Sequence, residues 1–230
     1  MRKPTGLLAV LLTAVLAVSA VLAVPAVMVA LAAPPVAEMP AACREDATRI
    51  HAVQGSGAAS PLVGKTVTIQ GVVVGDFQRG DGDLPFGTNL GGYAVQEEDA
   101  DADDDPMTSE GIYVFDSDTD VEVGDLVRVT GRVTEFHGLT ELTSVTSVIL
   151  CASGVDLPTA ARIRLPLAST DDLEAYEGML VTFPQALVIS EYYNFDRYGE
   201  IVLSAPPPGA GRQFQPTTWL DPDDPAVASA

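Results

Sequence analysis

Between Val67 and Leu150 the chain carries five short runs rich in β-branched and aromatic residues, and nothing between them keeps a helical period over ten residues. The runs are Val67–Val74, Gly92–Gln96, Ile112–Phe115, Leu126–Glu135 and Leu139–Leu150. The first and fourth contain an internal glycine, Gly71 and Gly131, the mark of a bend or bulge within a strand. Five strands, two of them long and glycine-bent, bury their apolar positions more readily by curling into one small closed barrel than by stacking as two sheets. The predicted class is all-β.

An OB-fold-like barrel is the natural form of such a unit, and it is assigned to residues 48–152, with order starting near Ile50. A second short β region is expected over 160–219, from Gly178–Phe183, Ala186–Ser190 and Gly199–Ser204. There Tyr176–Thr182 echoes Leu62–Thr68, which leaves open a partial second OB-like unit or a chance likeness. Residues 220–230 read as a disordered tail, and Trp219 as a side chain docking it. Ahead of the barrel, residues 33–47 are a Pro/Ala-rich tether. Residues 1–32 have the make-up of a signal peptide: Arg2 and Lys3, an apolar run from Gly6 to Val24, and Ala30-Leu31-Ala32 before the cut. The length of that run keeps an uncleaved membrane anchor open beside secretion to the extracellular space. The net charge of −20, from 32 acids against 12 basic residues, excludes a chain whose own field would attract nucleic acid.

Two cysteines in an exported chain favour a Cys43–Cys151 disulfide. The alternative is a buried thiol at Cys151 with Cys43 free or acylated. Neither arrangement gives a catalytic cysteine, because the two histidines, His51 and His137, stand in no nucleophile motif. His137 falls at the turn between the last two barrel strands; His51 has no partner legible in the sequence. In the acidic loop after Gln96, the carboxylates of Asp99, Asp101, Asp103 and Asp105, with Glu110 in the twelfth place, reproduce the spacing of a calcium loop. Asp104 stands where an EF-hand needs glycine and the flanks are strands, so the choice lies between a β-type calcium site and a solvated acidic loop. For nucleic acid, alternation puts Tyr93 with Val95 on one face of the second strand and Tyr113 with Phe115 on one face of the third. Tyr93 and Tyr113 are the candidates for base stacking, with Lys65, Arg128 and Arg132 for phosphates, against the plainer reading of packing.

Several segments in order resemble the N-terminal region of secreted bacterial extracellular endonucleases of the ExeM/NucH type. They include Ile50–Gly55, Ser60–Gly64, Gly92–Glu97, Thr108–Val114, Val123–Asp125, Leu173–Val181 and Gln215–Thr217. The resemblance implies an OB-fold region like those of calcium-dependent nucleases, set before an endonuclease/exonuclease/phosphatase-type domain that cleaves phosphodiesters with magnesium or another divalent metal. The expectation is an accessory, non-catalytic region of a DNA nuclease, with the downstream nuclease domain and weakly, metal-assisted DNA as partners. Asn89 and Asn194 are the only asparagines and there is no Ser-Asp-His run, so no catalytic residues are assigned. The alternative is a stand-alone secreted OB-fold protein binding calcium, a glycan or another protein.

Overall fold

A computed structural model describes residues 38–78, 90–198, 200–207, 209–214, 218, 220–221 and 223–225. The leader over 1–32, the start of the tether, Gln215–Thr217, Trp219 and most of the tail lie outside the described residues. All five predicted strands form: β1 (Thr66–Phe77), β2 (Gly92–Gln96), β3 (Gly111–Val114), β4 (Leu126–Phe136) and β5 (Leu139–Ala152). They close into a barrel in the order β1-β2-β3-β5-β4, and β4 returns to pair with β1. Every pairing is antiparallel except the β3–β5 seam, where Tyr113 faces Glu141 and Val114 faces Leu142 in parallel. This is the connectivity of an OB barrel.

The bend in β1 falls between Val73 and Gly75, not at Gly71. Gly71 serves close approach instead: a Cβ there would lie 2.5 Å from the Gln96 carbonyl oxygen of β2. The β4–β5 register slips between Thr130 and Arg132, at Gly131 as expected. His137 and Gly138, at φ 55° and 88°, join the paired Phe136 and Leu139 by a two-residue turn whose twist suits a hairpin.

Inward positions of every barrel strand supply the core, among them Ile69, Val73, Tyr93, Val95, Ile112, Val114, Val129 and Leu142. One turn and a half of helix, α1 (Ile50–Gln54), adds Ile50 and Val53 to it and ends at Gly55, at φ 70°. Order begins ahead of Ile50. A 3-10 turn at Ala41–Arg44 carries Cys43, which is bonded to Cys151 of β5 with Cα atoms 5.8 Å apart. Cys43, Val72, Leu126 and Cys151 form a small satellite core, so this stretch of the expected tether is fastened to the barrel.

After the barrel, β6 (Ala161–Arg162) pairs in parallel with β7 (Val181–Thr182), and β8 (Val188–Glu191) pairs antiparallel with β9 (Val202–Ser204). Among the described residues this region forms two ribbons and no second barrel. The β6–β7 ribbon docks through glycine. A Cβ on Gly111 would lie 2.3 Å from the Gly178 carbonyl carbon, and Gly178 itself is at φ 67°. Gln96 Oε1 accepts from the Leu180 N–H at 2.8 Å, and Ser109 Oγ donates to the Glu177 carbonyl at 2.7 Å.

Candidate functional site

Two features rise above ordinary packing. The first is a groove of about 1030 Å³ on the outside of the barrel, floored by β1, β2, β3 and the β4–β5 hairpin and walled by Gly178–Val181. Its aromatic edges are Phe77, Tyr113, Phe115 and Phe136; Phe115 is 54% and Phe136 57% exposed. The Phe136 ring meets His137 edge-on at 4.4 Å, and the Tyr113 hydroxyl donates to the Leu90 carbonyl at 3.1 Å. Burial, with Glu141 and Asp76 nearby, pushes the Tyr113 phenol up to about 12, so it stays protonated. Among the described lining residues there is no lysine or arginine, and Glu141 is the one carboxylate, its pKa raised by burial.

The two tyrosines expected to stack on bases lie on opposite sides of the barrel wall. Tyr113 and Phe115 face outward beside the groove. Tyr93 faces inward with Val95 and is 0% exposed, so it cannot stack on a base. Its phenol pKa is raised chiefly by that burial and secondarily by Asp116, and its hydroxyl has no hydrogen-bond partner among the described residues. Arg128 is likewise withdrawn: it is buried and donates to the carbonyls of Glu45 (2.8 Å) and Asp46 (2.7 Å), which fixes the N-terminal segment and leaves no free face for phosphate. Lys65 and Arg132 are exposed, and Arg132 pairs across the sheet with Thr143, a groove-lining residue.

The second feature is electrostatic. His51 on α1, Glu97 after β2 and Glu110 before β3 bring one nitrogen and two carboxylate oxygens within 4.8 Å of one another. His51 Nδ1 lies 2.8 Å from Glu97 Oε2 and 3.2 Å from Glu110 Oε2. The other oxygen of each carboxylate is held by backbone: Glu97 Oε1 accepts from the Ile50 N–H at 2.7 Å, and Glu110 Oε1 from the Asp103 N–H at 3.1 Å. On the far side of the ring, His51 Nε2 faces Asp103 Oδ2 at 3.8 Å. Glu97 is 1% exposed at its side chain; burial and the neighbouring Glu110 carboxylate hold its pKa well above the usual range, against the Ile50 N–H and His51. Burial lowers the His51 imidazole, but Glu110 and Glu97 outweigh it and the net shift is upward.

The five acids expected to form a calcium loop do not converge. Asp99 accepts from Thr159 through its N–H (2.8 Å) and Oγ1 (2.6 Å), Asp101 pairs with Arg49, and Asp105 accepts from the Met107 N–H. Asp103 caps its own loop, accepting from the Asp105 N–H and Thr108 Oγ1, and only it lies against Glu110. The centre that does assemble takes Glu110 from that set and adds His51 and Glu97. Their partners lie 46 and 59 residues apart along the chain, so no local spacing announces them. Compared with known proteins, the chain matches no family model, no curated protein and no solved structure.

Proposed function

We propose that this chain is a non-catalytic binding module, the accessory barrel region of an exported endonuclease/exonuclease/phosphatase-type DNA nuclease, with the aromatic groove as its ligand surface. The observation that carries this reading is the placement of Phe77, Tyr113, Phe115 and Phe136 around one groove on the outer barrel wall. Successive bases of a single strand stack on such rings at about 1–3 kcal/mol each, without sequence preference. That face of an OB barrel is where oligonucleotides and oligosaccharides are taken. Exposed Arg132, across the sheet from Thr143, supplies a phosphate contact, and exposed Lys65 precedes its other strand partner, Thr66. The resemblance of Ile50–Thr217 to secreted endonucleases supports the assignment of the strand as DNA.

The test is titration of labelled oligothymidylate into the full-length protein at several salt concentrations. Saturable binding is expected, weakened about tenfold by Phe115→Ala or Phe136→Ala, in line with one lost stacking contact. With Arg132 and Lys65 as the phosphate partners, log affinity should fall with log salt at a slope of about −1.4. No binding, or equal binding by both variants, would refute the reading. The lack of cations among the described lining residues favours a second one, an uncharged glycan chain stacked on the same rings. Its sign is binding of an oligosaccharide, indifferent to salt and lost in Phe115→Ala.

A further inference from the structure

We propose that His51, Glu97 and Glu110 form a binding site for a divalent first-row transition ion, zinc foremost, which fastens α1 to the ends of β2 and β3. The site is separate from the groove, none of whose lining residues it uses, and the proposal stands whichever ligand the groove takes.

One imidazole nitrogen and two carboxylate oxygens converge on one point. His51 Nδ1 carries at most one hydrogen, yet two carboxylate oxygens face it, at 2.8 and 3.2 Å. With the ring hydrogen given to one carboxylate, the other is accommodated only by a further proton, which the raised pKa of Glu97 allows. A cation set between the three atoms serves all of them at once. Around a tetrahedral zinc with bonds of about 2.0–2.1 Å, neighbouring ligand atoms sit about 3.3 Å apart, close to the 2.8 and 3.2 Å between His51 Nδ1 and the two carboxylates.

The anchoring of each ligand points the same way. Both glutamates are pinned through Oε1 by a backbone N–H, from Ile50 and from Asp103, and both leave Oε2 turned toward the imidazole. The ring has a carboxylate behind it: Asp103 Oδ2 faces Nε2 at 3.8 Å, and Asp103 is fixed by the Asp105 N–H and Thr108 Oγ1. At that distance it makes no hydrogen bond and acts on the ring by charge alone; a carboxylate closing on the second ring nitrogen is the usual support of a histidine ligand. Charge balance adds a reason. Glu110 and Asp103, joined by Glu97 once an ion displaces its proton, surround an imidazole that can carry one positive charge, and the nearby Arg49 guanidinium is paired with Asp101.

The donor set selects the ion. One imidazole nitrogen with two carboxylate oxygens suits zinc and its neighbours, whereas calcium takes six to eight oxygens and the aspartates that would supply them are turned to other partners. Three protein ligands leave a fourth position for water.

The full-length protein, stripped with chelator, is titrated with cobalt(II) and followed by its visible absorption, then with zinc as competitor and with calcium. The expected result is one tetrahedral cobalt per chain, displaced by zinc and not by calcium, and a melting temperature raised by zinc. His51→Gln and Glu110→Gln should each weaken binding at least tenfold, while Asp99→Asn, whose carboxylate is held by Thr159, should leave it unchanged. The cobalt spectrum of the unaltered protein reads the coordination directly, so a variant that fails to fold does not decide the matter. Absence of saturable cobalt or zinc binding near one per chain, or binding that His51→Gln leaves intact, overturns the proposal.

Discussion

Glu177 gives up much of its hydration to accept one hydrogen bond from the Thr140 N–H at 3.1 Å. Burial pushes its carboxyl up to about 7, with Glu174 and Glu135 adding to the effect and the Thr140 N–H opposing it. The ordinary value is 4.5, so between pH 4.5 and 7 the folded chain holds a proton that the unfolded chain has released. The contribution to stability is therefore present below pH 4.5 and is lost as pH rises through 7, opposite to a salt-bridged carboxylate. Glu177→Gln keeps an acceptor for Thr140 and removes the titration. Thermal melts should show the variant gaining on the parent from pH 5 to pH 8; a constant difference would mean that Glu177 ionises freely in the fold. Such a group is illegible in sequence, because Thr140 lies 37 residues away and Glu177 leaves water only where its segment packs against the barrel. Tyr113 was legible, since alternation alone places it with Phe115. Tyr93 obeyed the same alternation, but nothing in Gly92–Gln96 said which face the barrel would enclose. His51 lay beyond reading altogether: its partners follow two strands that had first to pair.

At the level of elements, the strands were the legible part. Their alternation survives because one face must leave water, and β2 begins and ends where its pattern does. The ribbons after the barrel were not, since β6 and β7 are two-residue strands with no pattern of their own, and what meets the barrel is Glu177–Leu180 just before β7. The contact between Gly111 and Gly178 is the critical one. A Cβ on Gly178 would lie 2.6 Å from the Ile112 nitrogen, and its φ of 67° costs a non-glycine residue about 1–2 kcal/mol besides. Gly178→Ala should therefore loosen the β6–β7 ribbon and spare the barrel. Hydrogen exchange is the measurement: the Leu180 amide should lose protection while Val129 keeps it. Protection at Leu180 equal to that of the parent would show that the ribbon has another anchor. Because Gly178–Val181 forms a wall of the groove, the same substitution should also widen the binding surface.

Across the whole molecule, the Cys43–Cys151 bridge closes a loop with a sequence separation of 108 residues. In the chain-entropy account a loop of that size stabilises the fold by about 4–5 kcal/mol. The double variant Cys43→Ser, Cys151→Ser should lose stability of that order in urea unfolding; a loss below about 1 kcal/mol would mean that the unfolded chain is already compact across this span. The bridge was legible because only one intrachain pair exists to be made, whereas its effect on residues 38–47 was not, since alanine and proline give no sign of what a distant thiol will hold down. The parallel seam between β3 and β5 carries a different consequence. Remove β5, by an early stop before Leu139, and the remaining strands run β3-β2-β1-β4 as an open sheet. Both of its margins then present unpaired N–H and C=O groups beside an uncovered apolar face, and each is a template for the margin of another copy. Fourteen residues at the end of the barrel thus separate a closed sheet from one disposed to polymerise.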